Sequence, residues 1–115
     1  MEPIPYYYDP INRNAIVVHI KKPFYDWLIS IEPQSSVQVE MEGNIYLIKE
    51  KDSNEAIENW LKRNYDKIFQ NELNDWYTNE IKWPQQRTFK MFKEWFNYKI
   101  ISMVLDMEET EISKD

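Results

Sequence analysis

Basic side chains are concentrated in one short segment of this acidic chain. Residues 81–99 contain five cations against one acid, a local charge of +4 in a protein of net charge −6. The cations of this segment are Lys82, Arg87, Lys90, Lys93 and Lys99. Charge segregated in this way predicts a surface at which an anionic partner can bind.

Three of these cations recur every third residue beside aromatic side chains. Arg87, Lys90 and Lys93 form a stripe of the kind that single-stranded nucleic acid requires. Three or four phosphate contacts make a weak electrostatic site, and the acidic remainder of the chain repels polyanions. Nucleic acid is therefore the least favoured partner. A protein with an acidic face is the better candidate, and a solvated stripe beside buried aromatics is the structural alternative.

Trp83 stands immediately before Pro84, between two predicted helices. A residue that precedes proline is held in an extended conformation, so Trp83 does not belong to a helical stripe. It either fills the core from a loop or is exposed as an anchor for a partner. Together, Trp83, Arg87, Lys90 and Lys93 form the candidate interaction surface.

A second candidate site gathers charged residues from distant parts of the sequence. Asp26 and Asp106 both lie near the ends of predicted elements, and two convergent carboxylates can bind a hard cation or act as general acid and base. Salt bridges to Arg13 or Arg87 are the alternative. The hypothesis is an open polar pocket at one end of the sheet that contains Arg13, Asp26, Arg87 and Asp106.

Other kinds of chemistry are excluded by residue type. His19 is the only histidine, and no carboxylate or nucleophile accompanies it at a catalytic spacing, so we assign it a structural role. The chain has no Cys, which excludes disulfides and thiolate-bound metals, and its single Gly excludes a glycine-rich phosphate loop. We name no catalytic residue and expect neither a cofactor nor a metal.

The composition predicts a folded, aromatic-rich protein. The 115 residues fit one domain, and 43% of them are hydrophobic, with five Trp, eight Tyr and five Phe. The N-terminal sequence lacks the pattern of a signal peptide, and no apolar run approaches the roughly 20 residues that span a bilayer. We expect a cytoplasmic protein that does not engage a membrane.

The first half of the sequence predicts two strands around a short helix. The β-branched run AIVVHI, residues 15–20, is apolar on both faces and predicts a central strand covered on both sides. Pro23 begins a helix that ends before Pro33. IYLIKE, residues 45–50, predicts a strand that the short helix could connect in parallel to the first. Residues 34–41 could add an edge strand.

The second half predicts two helices and a closing strand. A helical apolar pattern begins at Asp52 or Ser53 and continues to residue 78, with Asp52 and Glu55 at the spacing of an acidic capping box. Thr88 can cap a further helix. The run KIISMVLDM, residues 99–107, predicts the last strand.

These elements predict a single small α/β (α+β) domain in the order β-α-β-α-α-β. Its three- or four-stranded mixed sheet packs against aromatic-rich helices. We place an irregular lead-in at residues 1–13, the domain at residues 14–107 and an acidic tail at residues 108–115.

Two groups of motifs resemble a family of short, uncharacterised bacterial proteins of unassigned function. The first group is Asn12 to Val18 with Pro23-Phe24 and Asp26-Trp27-Leu28; the second is Trp83-Pro84-Gln85 with Arg87, Phe89, Phe92, Trp95-Phe96, Met103-Val104 and Asp106. The resemblance implies a bacterial cytoplasmic source and brings no activity with it.

Charge segregation without a catalytic signature favours a non-enzymatic protein–protein interaction module. Its partner is an unidentified protein, and a second copy of the chain is one form that this partner could take. The alternative is a small enzyme or ligand-binding protein that uses the polar site at one end of the sheet.

Overall fold

The fold is a three-stranded antiparallel sheet with helices on one face. The computed structural model describes residues 8–34 and 43–114. The strands are β1 (Arg13–Ile20), β2 (Gly43–Lys49) and β3 (Phe96–Ile101). The helices are α1 (Lys22–Ile31), α2 (Asn54–Trp76) and α3 (Phe89–Trp95), with a short 3-10 helix at Glu80–Lys82.

β1 is the central strand, as predicted, and the sheet order is β2-β1-β3. Both of its neighbours run antiparallel to it, with Val17 opposite Ile45 on one side and opposite Lys99 on the other. The prediction of a mixed sheet, with a parallel crossover from the first strand to the second, was therefore wrong.

The short length of α1 agrees with the antiparallel pairing of β1 and β2. Its 10 residues are about 15 Å long, whereas the 8 residues of β1 extend about 26 Å. The helix alone covers little more than half the length of the strand. The chain instead re-enters at Gly43, opposite His19, at the same end of the sheet that it left.

Local capping sets where the helices begin. Pro23 lies in the first turn of α1, where its missing N–H is not needed. Ser53 caps α2 by accepting a hydrogen bond from the Ala56 N–H at 3.1 Å. The Asp52–Glu55 capping box was a wrong prediction, because the cap is Ser53 and the third helical residue is then Ala56.

α3 is capped by Thr88, as its sequence predicts. The Thr88 hydroxyl accepts a hydrogen bond from the Met91 N–H at 3.1 Å. The helix passes directly into β3, because Phe96 is both its C-terminal cap and the first residue of the strand. The closing strand therefore begins three residues earlier than predicted and ends at Ile101.

One face of the sheet packs on the helices and forms the core. Ile16, Val18 and Ile20 of β1 are buried there against side chains of α2 and α3. The buried helix residues of this cluster are Ile57, Leu61, Ile68, Phe69, Leu73 and Phe92. Phe69 and Phe96 meet edge to face, with ring centroids 5.1 Å apart.

Asn14 is a buried polar residue that joins all three strands at one end of the sheet. Its amide nitrogen donates to the Ser102 carbonyl at 2.9 Å, and its amide oxygen accepts from the Lys51 N–H at 2.7 Å. Both partners lie just beyond the strands that flank β1. Since its polar atoms are paired, Asn14 is tolerated at 1% exposure.

The opposite face of the sheet is not covered in the way the sequence predicts. Ala15 is buried on that face, but Val17 is only half-buried and His19 is exposed, so the expectation of a strand covered along both sides was wrong. The proposed edge strand at residues 34–41, apart from Gln34, and residues 1–7 of the N-terminal lead-in lie outside the described residues.

Candidate functional site

Trp83 is part of the core and not an exposed anchor. It is only 7% exposed, and its indole Nε1 donates to the Tyr77 carbonyl at 2.7 Å. The bend between the 3-10 helix and α3 therefore points this side chain inward. Trp83 fills the core from a loop, which removes it from the candidate interaction surface.

Arg87 is held in a structural ion pair. Its Nε lies 2.7 Å from Oδ1 of Asp66 on α2, and its Nη1 donates to the Pro84 carbonyl at 2.7 Å. The arginine side chain is 15% exposed. The hydrogen bond from Arg87 lowers the pKa of Asp66. Because Asp66 lies on α2 and Arg87 lies just before α3, the pair links the two helices.

The two lysines of the predicted stripe are on the surface. Lys90 and Lys93 are exposed on α3, and the ammonium of Lys93 lies 5.0 Å from the centre of the Phe89 ring. The three cations of the stripe therefore differ in their exposure to solvent. Arg87 is used within the fold, and only the lysines remain for a partner.

The four residues of the alternative polar site lie in separate places. Asp26 pairs with Lys22 on the exposed side of α1, with 2.9 Å between Oδ2 and Nζ. Arg13 begins β1, and Asp26 follows the far end of that strand, so the length of β1 separates them. Arg13 and Asp106 do line one groove together.

The uncovered face of the sheet, which we call the open face, has an apolar centre. Side chains that are opposite one another in register share a face. One row across the sheet contains Leu47, Ala15 and Ile101, and the next contains Ile45, Val17 and Lys99. Ile45 is 67% exposed and Leu47 is 45% exposed.

Cations surround the apolar centre of the open face. Arg13 is opposite Lys49 at one end, and Lys99 lies beside Val17 on β3. All three are exposed. None of the strand residues that point to this face is acidic, although the whole protein carries a net charge of −6.

The single glycine belongs to the open face for a steric reason. Gly43 is opposite His19, and a Cβ atom at Gly43 would lie 2.5 Å from Cδ2 of the His19 ring. Any larger residue at this position would displace the imidazole. At the far end of the open face, the exposed His19 ring thus lies against the backbone of Gly43.

Sequence reasoning did not identify the open face because its members come from three strands. Ile45, Leu47 and Lys49 do alternate in the sequence, which is the signal that could have placed them on one side of β2. Arg13 and Lys99, however, become their neighbours only through the register of β1 with β2 and β3.

A polar cavity of about 160 Å³ lies between the start of β2 and the last turns of α2. Its walls include Glu72, which is 1% exposed, and the exposed Asp75. Asn44 donates to both carboxylates, at 2.6 Å to Glu72 and 3.1 Å to Asp75. The Tyr46 hydroxyl also donates to Glu72.

The surroundings of Glu72 shift the pKa of its carboxyl group. Burial raises the pKa of the Glu72 carboxyl, while hydrogen bonds from Tyr46 and Asn44 act in the opposite direction. Burial and the same carboxylate raise the pKa of the Tyr46 phenol. The pair is therefore a buried acid beside a phenol that keeps its proton.

This chain matches no family model, no curated protein and no solved structure. Within residues 8–34 and 43–114, no helix is long and apolar enough to cross a membrane. In that same part of the chain, no group of three or more His, Asp or Glu residues is arranged to hold a metal ion.

Proposed function

We propose that this protein is a non-enzymatic protein–protein interaction module that binds its partner on the open face of the sheet. The main support is the pair Ile45 and Leu47, two large apolar side chains of the edge strand β2 that are left 67% and 45% exposed. Exposed apolar area of this kind is typical of binding surfaces. Full burial of such a side chain contributes about 1.5–3 kcal/mol.

The predicted stripe has less support as the interaction surface. Trp83 is buried and Arg87 is paired with Asp66, which leaves Lys90 and Lys93 without an apolar anchor between them. Exposed lysines alone bind weakly. The site that we propose therefore lies on the sheet. That the protein is bacterial and cytoplasmic stays a prediction from the sequence.

Site-specific photo-crosslinking tests this proposal. A photoreactive residue at position 45 is expected to capture one protein in cells that make this chain. The matched control is position 81, because Ile81 is 82% exposed but lies on the 3-10 helix. The captured protein is then purified and titrated against the full chain.

The titration decides between a specific and an incidental contact. We expect Ile45→Glu to weaken binding at least about tenfold, because it places a charge where an apolar side chain is buried. Ile81→Glu should bind as the wild type does. Adducts that are the same at both positions, or equal affinity of the two variants, would contradict the proposal.

The alternative function, binding of a small ligand, has a different basis. The residues first assigned to it are dispersed, and the polar cavity beside Glu72 is the feature that now favours it. A buried carboxylate next to a second carboxylate suits a small cation such as an amine. This function depends on the ionisation of Glu72.

A further inference from the structure

The charge of the open face is opposite to the charge of the molecule. Arg13, Lys49 and Lys99 frame the apolar centre, and the strand positions of that face contain no acid. Two open faces brought together would place cations near cations. The charge pattern therefore favours an acidic occupant over a second copy of the same face.

The chain contains a segment with the composition that such an occupant needs. Residues 108–115, EETEISKD, contain three Glu and one Asp around a single apolar residue, Ile112. In an extended segment, side chains alternate between two faces, so Ile112 shares a face with Glu108 and Lys114. Ile112 and Glu108 could then be directed to the apolar centre and its basic frame. The composition thus complements the open face in both respects.

The structure places part of this segment beside the open face. A groove of about 450 Å³ is lined on one side by Ile11, Arg13 and Leu47 and on the other by Asp106, Glu111 and Ile112. Arg13 and Leu47 belong to the open face. The acidic tail therefore lies along one edge of this surface.

The contact between tail and sheet is loose. Ile112 is 68% exposed, so the groove is bordered by the tail and not filled by it. Among residues 8–34 and 43–114, no hydrogen bond or ion pair joins the tail to Arg13 or Lys49. A segment held in this way can be displaced by a similar segment of another protein.

We propose that the open face binds acidic segments that carry an apolar side chain, and that the chain's own tail is a resident, displaceable occupant at the Arg13 end. This inference rests on the proposed function for its biological meaning. The physical contact between an acidic segment and the open face can be tested without knowledge of the natural partner.

The test is an NMR titration of the isotope-labelled full chain with a free peptide of sequence EETEISKD. We expect shifts of the backbone amides of Ala15, Ile45 and Leu47. A control peptide in which every Glu is Gln should bind about fivefold more weakly, the combined effect of a few exposed ion pairs. A peptide with Ser in place of its Ile should also bind more weakly.

Competition by the tail is tested with a full-length variant, Glu108→Gln, Glu109→Gln and Glu111→Gln. It should bind the acidic peptide more tightly than the wild type does, by about threefold, because its own tail competes less. A variant with Glu55→Gln, Glu80→Gln and Glu94→Gln, three exposed changes outside the tail, is the control for the same change in net charge.

The outcomes separate this inference from the proposed function. Unmoved amides on the open face, or equal affinity for the acidic and neutral peptides, would overturn the inference even if crosslinking at position 45 finds a partner. Peptide binding without any crosslinked partner would instead leave the inference standing and contradict the proposed function.

Discussion

At the scale of single residues, Glu72 connects the fold to the ligand-binding alternative. Its pKa is raised above the ordinary value of 4.5, mainly by burial. The folded protein therefore holds the Glu72 proton more tightly than the unfolded chain does. Between 4.5 and the raised pKa, this group makes the free energy of unfolding fall as the pH rises.

Glu72→Gln should remove that pH dependence. The amide keeps an oxygen that can accept hydrogen bonds from Tyr46 and Asn44, but it does not titrate. We expect the free energy of unfolding of the wild type, minus that of this variant, to increase as the pH falls from 7 towards 4.5. Urea unfolding at a series of pH values measures the difference, with the exposed Glu94→Gln as the control. A difference that is constant with pH would contradict the argument.

The same variant bears on the alternative function. If the cavity beside Glu72 binds small cations, methylammonium should shift the amides of Asn44 and Asp75 in the wild type and not in Glu72→Gln. The sequence places Glu72 three residues after Phe69 and four before Trp76, on the apolar stripe of α2, and this spacing is the signal that could have identified it. Its burial follows from Asn44 and Tyr46, which the sheet places against the helix.

At the scale of elements, hydrogen-bonding side chains decided where α2 and α3 begin. Ser53 and Thr88 both cap helices at or next to the predicted positions. Each cap involves residues only three apart, so a local pattern is sufficient to predict it. The prediction of a parallel crossover was wrong, because the direction of a strand depends on the end of the sheet at which the chain re-enters.

Thr88→Ala should lower the free energy of unfolding by about 1 kcal/mol, the usual cost of removing an N-terminal cap. The lost bond is the one from the Met91 N–H to the Thr88 hydroxyl. Thr78→Ala, an exposed change in a loop, is the matched control and should alter stability by less than about 0.5 kcal/mol. Urea unfolding compares the two; equal losses would show that the cap contributes nothing.

At the scale of the whole molecule, salt should control any pairing of two open faces. The frame of Arg13, Lys49 and Lys99 repels its copy, and so does the net charge of −6. Salt at 1 M reduces the screening length to about 3 Å, while the apolar centre is unaffected by screening.

We therefore expect self-association to strengthen from 0.1 M to 1 M salt and to disappear in Ile45→Ser. Sedimentation equilibrium measures both effects, with Ile81→Ser as the matched control because that residue is more exposed than Ile45. Association that is strongest at low salt would instead indicate pairing through opposite charges elsewhere, and a homodimer would then need another surface.

The sequence by itself determined the α/β character, the central strand, the cap at Thr88 and the aromatic core. These features depend on residue types and on spacings of a few residues, which any local segment reveals. Only the tertiary structure decided that Trp83 points inward, that Arg87 pairs with Asp66 and that one face of the sheet is open. The physical reason is that register and chain route join residues far apart in sequence, and those contacts fix which side chains remain for a partner.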